Sequence, residues 1–306
     1  MLGSEHLDQR VVVRLRLPET DSGPTMTDCL GVLSAVDGDH ITVTEEDGRE
    51  RRIPRSGIVA AKVIGPRPTR FSEILDLERI LADSWRAREN ENYAGWTLRA
   101  HAGYTRRANS VLALTKPDVD LDEAIAYVEK WYGERGLDPM ITASGPVSRH
   151  LDGRLAQLGW AKEAEAMVMS GSLRSRPEGE AVLRTEPGEE YFHGLDSARR
   201  EACRELLLDA DSVRFAEVRR GDRTAAWGRG AVIGRTLAVA RVGVDAEFRR
   251  QGLGGLVMDA LENWAESQGA DRVALQVETD NVPAIGLYEQ RGLRERYRYF
   301  YRVRRS

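Results

Sequence analysis

The chain has 306 residues, 41% of them hydrophobic and 31% charged, with a formal net charge of −4. That length and balance predict two or three globular domains, and the mild acidity excludes a global pull toward nucleic acid or an anionic membrane. Two cysteines, Cys29 and Cys203, and five scattered histidines form no disulfide framework, paired-cysteine site or HExxH cluster, so a metal-free protein of the reducing cytoplasm is expected.

In chain order, Met1–Arg10 has no apolar h-region and is not read as a signal peptide. No run of roughly 18 apolar residues predicts a membrane span. Residues 10–65 read as short strands: Arg10–Leu17, Cys29–Ala35, His40–Thr44 and Ile58–Ile64. Turns are read at Asp37-Gly38-Asp39 and across Glu45, Glu46, Asp47, Gly48, Arg49 and Glu50. With no helical period between them, residues 1–68 are expected to close as a small all-β barrel, similar by pattern to SH3-like domains. Ten Arg+Lys stand against eleven Asp+Glu up to residue 70, which gives this domain no basic footprint and favours an accessory or assembly role. Pro66-Arg67-Pro68 ends it as a stiff linker.

Residues 69–176 form the second expected domain. A helix is predicted from Phe71 to about Glu91, with Ile74, Leu77, Ile80, Leu81 and Trp85 at helical spacing, and another around Asp122–Glu134. Arg106, Arg107, Ala108 and Asn109 are read as structural, with acceptor contact as the alternative. Arg174–Glu180 is polar, carries Pro and Gly, and reads as a second linker.

Residues 177–306 alternate in type. A helix at Ser197–Asp209 precedes strands at Val213–Val218, Thr224–Val232 and Thr236–Val244. A helix at Leu253–Ser267, a strand at Arg272–Val277, a short helix at Pro283–Arg291 and a strand at Tyr297–Val303 follow. The order predicts a mixed α/β sheet with helices on both faces. In the last strand Tyr297, Tyr299, Tyr301 and Val303 alternate with arginines, so the apolar face is expected inward.

The most informative stretch runs Val242, Gly243, Val244, Asp245, Ala246, Glu247, Phe248, Arg249, Arg250, Gln251, Gly252, Leu253, Gly254, Gly255. An apolar strand enters a glycine-rich turn that opens an amphipathic helix ending near Gly269. The first amide N–H groups of a helix have no intrahelical acceptor, and the helix dipole makes that end positive. Glycines let a diphosphate approach the backbone, and Arg249 and Arg250 add charge. A P-loop is excluded because no Lys-Ser or Lys-Thr pair occurs.

Arg249-Arg250-Gln251-Gly252-Leu253-Gly254 resembles the R/Q-x-x-G-x-G/A motif of the GNAT superfamily of N-acetyltransferases. Downstream, the block Asn281, Ala284, Tyr288, Gly292 and Leu293 resembles that family's second motif, with Leu293 in place of the usual Phe. The resemblance covers roughly the last 125 residues. It implies acetyl-CoA as cosubstrate, with its pyrophosphate on the amides from Arg249 to Gly255. It further implies main-chain contacts to the acetyl and pantetheine portions at Val242, Gly243 and Val244, on a strand that splays from its neighbour, and cofactor contacts at Asn281 and Ala284. Asn281 before Val282-Pro283 is equally a good helix N-cap, and the two roles are compatible. Tyr288, about two turns on, is a core aromatic by pattern; the resemblance makes it the general acid for the departing thiolate.

The middle segment repeats the last one. Trp131 and Trp264, Gly136 and Gly269, and Gly159 and Gly292 are each 133 residues apart. The same shift sets Val119 against Gly252, Leu121 against Gly254, Ser148 against Asn281 and Leu155 against Tyr288, so the first copy lacks the chemical site. The expected reaction is direct attack by an amine acceptor, small molecule or protein, on the thioester. The base is open between Glu278, Asp280 and Glu217, with Glu278 carried first. Acceptor, acyl length and oligomeric state are not written in the sequence. The alternatives are a non-catalytic acetyl-CoA-binding regulator and an interaction protein acting through the N-terminal barrel.

Overall fold

Val11, Val13 and Leu15, at every second position, bury one face of the first strand and start the N-terminal core, while Val12 and Arg14 lie on the other face. The computed structural model describes residues 2–17, 25–45, 47–65 and 67–305. Met1, Glu46 and Pro66, which belong to the N-terminal, hairpin and linker readings, lie outside the described residues. The chain divides into two compact units between Pro68 and Thr69.

The first unit holds β1 (Arg10–Arg16), β2 (Met26–Val36), β3 (His40–Glu45), β4 (Glu50–Pro54) and β5 (Ile58–Val63), antiparallel in the order β4-β3-β2-β1-β5. Val11, Val13, Leu33, Ile41, Val43 and Ile53 form its core. The β2–β3 turn is set by Asp37, whose carboxylate accepts from the main-chain N–H groups of Asp39 and His40. Cys29 is buried among these side chains, and burial pushes its thiol up to about 11.

In the second unit come α1 (Phe71–Asp83), β6 (Glu89–Tyr93), β7 (Trp96–Ala100), β8 (Val111–Leu112), α2 (Leu121–Gly133), β9 (Met140–Ser144), α3 (Arg149–Gln157) and β10 (Ala161–Ser172). They are followed by β11 (Val182–Arg184), α4 (Ser197–Leu208), β12 (Val213–Arg220), β13 (Arg223–Ile233), β14 (Thr236–Val244), α5 (Leu253–Ser267), β15 (Arg272–Glu278), α6 (Val282–Gln290) and β16 (Arg294–Val303). The helix expected to reach Glu91 ends at Asp83. Beyond Trp85 the apolar spacing stops, and Glu89–Tyr93 instead pairs with β7 as an edge strand. There Tyr93 stacks on Tyr127 of α2, ring centroids 3.6 Å apart.

All these strands join one sheet, ordered β11-β12-β13-β14-β15-β10-β16-β9-β8-β7-β6. Its two ends carry matching sets of elements. α3 and α6 begin 133 residues apart, at Arg149 and Val282, as do β10 and β16, at Ala161 and Arg294. α1 and α4 begin 126 apart, at Phe71 and Ser197. The difference is taken up before α5, where β14 has nine residues and its counterpart β8 has two.

The sets do not close separately. β10, the last strand of the first set, lies against β15, and β16, the last of the second, lies against β9; β10 and β16 pair with each other between them. The tyrosines of the tail therefore sit mid-sheet, with Tyr297, Tyr299 and Tyr301 buried beside Ile74 and Leu81 of α1. On the opposite face, Leu237, Val239 and Leu275 pack against Val257, Leu261 and Trp264 of α5. Gly228 and Gly230 of β13 admit this helix, since a Cβ at Gly228 would come within 2.6 Å of Val257. Arg174–Glu180 is irregular and lies against α5, where Asn263 exchanges hydrogen bonds with the main chain of Arg176. Among the described residues no helix is long and apolar enough to cross a membrane.

α5 and α6 are tied by Arg291, which donates to Glu262 at 2.8 Å and to Asp259 at 2.6 Å. Glu262 is 2% exposed and its other cation, Arg176, stands 3.6 Å away without hydrogen-bonding it, so losing Arg291 takes from a buried charge its hydrogen-bonded partner. Arg291→Met is expected to cost about 3–5 kcal/mol in chemical denaturation, and the Glu262→Met/Arg291→Met double variant less than Arg291→Met alone.

Candidate functional site

β14 and β15 run parallel and pair only from Thr236 to Val239, opposite Arg272 to Leu275. Beyond that, β14 stays with β13, with Gly243 opposite Trp227 and Val244 opposite Ala226. β15 stays with β10, with Val277 opposite Met167 and Glu278 opposite Ala166. The sheet thus opens between Ala240–Val244 and Gln276–Glu278. A bulge at Arg241 (φ 58°) turns β14 away from its neighbour. Gly243 lets the main chain lie against Trp227, whose indole would be 2.5 Å from a Cβ there. The edge of β14 that faces the gap is left without a strand partner.

From this edge the chain makes a 3-10 turn at Ala246–Phe248, started by Asp245, whose carboxylate accepts from Glu247 N at 3.1 Å. Arg250 (φ 60°) and Gly252 (φ 76°) then take left-handed backbone and start α5. No side chain caps this helix. Gly255 N donates back to Gly252 O at 2.9 Å, while the N–H groups of Leu253 and Gly254 make no hydrogen bond among the described residues. Arg249, Arg250 and Gln251 are exposed around them. At Gly254 a Cβ would stand 3.2 Å from Leu287 of α6, so that glycine also sets the spacing of the two helices.

The matching helix of the other set is built differently. α2 is capped by Asp120, whose carboxylate accepts from Asp122 N at 2.9 Å, and Asp122 and Glu123 fill its first turn. An anion is therefore already present at that helix start. The helix starts set Asp120 opposite Gly252, one residue from the Val119 pairing given by the repeat, while Ser148 and Leu155 fall opposite Asn281 and Tyr288 as expected.

Asn281 caps α6, its Oδ1 accepting from Ala284 N at 3.3 Å. Tyr288 is buried with Leu253, Val257, Val277 and Leu293; its hydroxyl makes no hydrogen bond among the described residues, and burial pushes its pKa up to about 12. The three carboxylates weighed as bases part company. Glu217 is buried and paired with Arg184 at 2.6 Å, Asp280 is exposed in the turn before α6, and Glu278 lines a cleft at the gap.

That cleft measures about 420 Å³ and lies on the sheet face that carries α1. Trp85, Arg106, Arg107, Arg241 and Gln276 line it together with Glu278. The structural reading of Arg106–Asn109 holds for Asn109, whose side chain is buried, accepts from His101 N and Gly103 N, and donates to Tyr104 O and Thr105 O. Its two arginines instead face the cleft. Trp85 is read from the sequence only as part of a helical stripe, and Arg241 and Gln276 are not read from it as site residues. Of the last two, only Arg241 leaves a trace there, as the charged residue that interrupts the apolar run of its strand.

Two family models match the chain. The one described as "Probable histone acetyltransferase Rv0428c C-terminal" matches residues 71–302, and the one described as "Rv0428c N-terminal Sm-like domain" matches residues 6–62. Among similar proteins, the uncharacterized N-acetyltransferase YobR of Bacillus subtilis is 27% identical over 77% of this chain and all of its own length. The [ribosomal protein bS18]-alanine N-acetyltransferase of Salmonella typhimurium is 34% identical over 24% of this chain and half of its own. The fold is shared with a GCN5-related N-acetyltransferase from Kribbella flavida, at 16% identity and a TM-score of 0.53, covering 75% of this chain and 96% of that one. Its fold is that of a GCN5-related N-acetyltransferase, and with the greater part of its length matched by that acetyltransferase model the protein belongs to the Rv0428c C-terminal family and is an acyltransferase.

Proposed function

We propose that the enzyme transfers an acetyl group from acetyl-CoA to a primary amine by direct attack, with Tyr288 as general acid. The observation that carries this reading is the start of α5. Left-handed Gly252 and the free N–H groups of Leu253 and Gly254 stand at the end of the strand that parts from β15. A diphosphate fits such a start, because bare amides, the positive helix end and the nearby arginines all favour an anion.

Arg249, Arg250, Gln251, Gly252, Leu253, Gly254 and Gly255 would hold the diphosphate, Val242, Gly243 and Val244 the chain that follows it, with Asn281 and Ala284 at the start of α6 beside it. Bound there, acetyl-CoA supplies the acetyl thioester that the amine attacks. Main-chain N–H groups on the open edge of β14, near Val244, are suited to developing charge on the carbonyl oxygen. Glu278, at the gap, is the base that takes a proton from the ammonium form of the acceptor. A nitrogen–carbon bond forms as the carbon–sulfur bond breaks; the sulfur takes its proton from the Tyr288 hydroxyl, and the second proton that the nitrogen sheds on becoming an amide restores that hydroxyl. With its pKa pushed up to about 12, that phenol keeps its proton throughout the neutral range. Cys29 and Cys203 are buried free thiols, in keeping with a cytosolic setting.

Two measurements test this. In titration calorimetry with acetyl-CoA, Gly252→Val, forced into left-handed backbone with a branched side chain at the anion site, should bind roughly tenfold or more weakly. Equal heats for variant and wild type would remove the anchor of the reading. Tyr288→Phe should bind acetyl-CoA normally and lose about 10²–10⁴ in kcat. Because burial raises this pKa, the acid form persists to higher pH, so the wild-type rate should show no alkaline fall from Tyr288 below about pH 10. An unchanged kcat in the phenylalanine variant would end the general-acid assignment.

A further inference from the structure

The cleft beside the open edge of β14 carries more positive charge than acetyl transfer requires. Arg106, Arg107 and Arg241 line it against one carboxylate, Glu278. Elsewhere in this unit arginines commonly meet acidic partners, as Arg88 meets Glu205, Arg154 meets Asp122 and Arg302 meets Asp152. None of the three cleft arginines makes an ion pair among the described residues. Arg241 donates to the Tyr191 carbonyl at 3.1 Å, and Arg107 has a buried Nε without a partner.

Beneath it lie a further guanidinium and one buried carboxyl, Glu78, which feels the charge of Arg107 and accepts a hydrogen bond from Ser144. The Arg107 guanidinium stands 5.6 Å from the centroid of the Trp85 ring, and that of Arg229 stands 5.2 Å from the same ring. Arg229 is 0% exposed, with both terminal nitrogens unpartnered. Burial, together with Arg107 nearby, pushes its pKa down to about 10. On the β15 wall the reverse holds, since Gln276 presents a buried amide oxygen that no donor among the described residues reaches, next to the exposed carboxylate of Glu278. Buried polar atoms without partners are uncommon in folded proteins and call for an explanation. One cleft holding an orphaned guanidinium donor and an orphaned acceptor has the polarity of a ligand with both charges.

Resting on the acetyl-transfer reading above, we propose that the acceptor is a small amine that also bears an oxyanion, a carboxylate or phosphate. Arg106 and Arg107 hold the anionic end, and the amino end faces Gln276 and Glu278 at the gap. A volume of about 420 Å³ suits a molecule of amino-acid size. The planar guanidinium fork recognises either anion, so the two sources share one chemistry. Arg106 and Arg107 come from the first set and Glu278 from the end of β15, so an anion held by the arginines leaves the amine to the carboxylate.

Thiol release with acetyl-CoA is measured for pairs that differ in the anion: ornithine and putrescine, lysine and cadaverine, phosphoethanolamine and ethanolamine. At least one anionic member should be acetylated with kcat/KM tenfold or more above its partner, and the pair that responds tells carboxylate from phosphate. Arg106→Gln and Arg107→Met should cut that preference tenfold or more through KM, with acetyl-CoA affinity by calorimetry unchanged. Arg106 is exposed, so its variant carries the test if loss of the Trp85 contact unfolds Arg107→Met. The proposal is overturned if the anion-free amines are equal or better substrates, or if the folded variants keep the preference. Bound acetyl-CoA with no anionic amine turned over overturns it as well. No heat with acetyl-CoA would instead bring down the cofactor reading, and this one with it.

Discussion

A parallel strand pair that separates after four residues leaves a row of main-chain donors and acceptors with no strand to meet them. Buried backbone groups are nearly always paired, so a sheet can tolerate such a row only where water or a ligand reaches it. In this protein the parting of β14 from β15 is imposed from both sides. The Arg241 bulge and the Trp227–Gly243 contact hold β14 to β13, while β10 holds β15. The gap is therefore part of the fold rather than a local fault. The same strand end delivers the chain to the uncapped start of α5 within nine residues, from Val244 to Leu253.

The exchange of final strands makes the two sets of elements dependent on each other. β15 is paired beyond Leu275 only because β10, from the first set, lies on its other side. Without β10 both flanks of β15 would be open at the gap. Reciprocally, β9 has β16 as its antiparallel partner. A stable second set without the first is not a natural expectation of this topology, since a central strand, Ala161–Ser172, would be missing from its sheet.

The chemistry-bearing motif was legible because it is local. A strand, two arginines, spaced glycines and an amphipathic helix specify an uncapped helix start wherever they occur, and β14 and α5 run over the ranges read from sequence, Thr236–Val244 and Leu253–Ser267. Asn281 was legible as a cap for the same reason. The helix after Phe71 was overextended because Trp85 fits the helical period, although it belongs to the core that Tyr104 and Phe215 share. The cleft was not legible, since Trp85, Arg107, Arg241 and Gln276 come from four separate segments and only the exchanged sheet brings them together. Strand order in a sheet is a long-range property that period and turn chemistry do not encode.

On the proposed reading of α5 as an anion site, the different start of α2 carries its own logic. A helix start that waits for a ligand keeps unpaired amides and a positive end, which makes it less stable until the ligand arrives. At α2, Asp120, Asp122 and Glu123 satisfy that end with the chain's own carboxylates. This set can therefore be fully ordered without any ligand, and its ordered parts are the ones that the other set needs. It supplies β10 to complete the sheet at the gap, and Trp85, Arg106 and Arg107 to wall the cleft opposite β15. A second phosphate site would add nothing to either task, and it would make the wall's stability depend on cofactor concentration through mass action. The two sets thus share an arrangement of elements and differ at this helix start, where α2 carries its own carboxylates and α5 carries none.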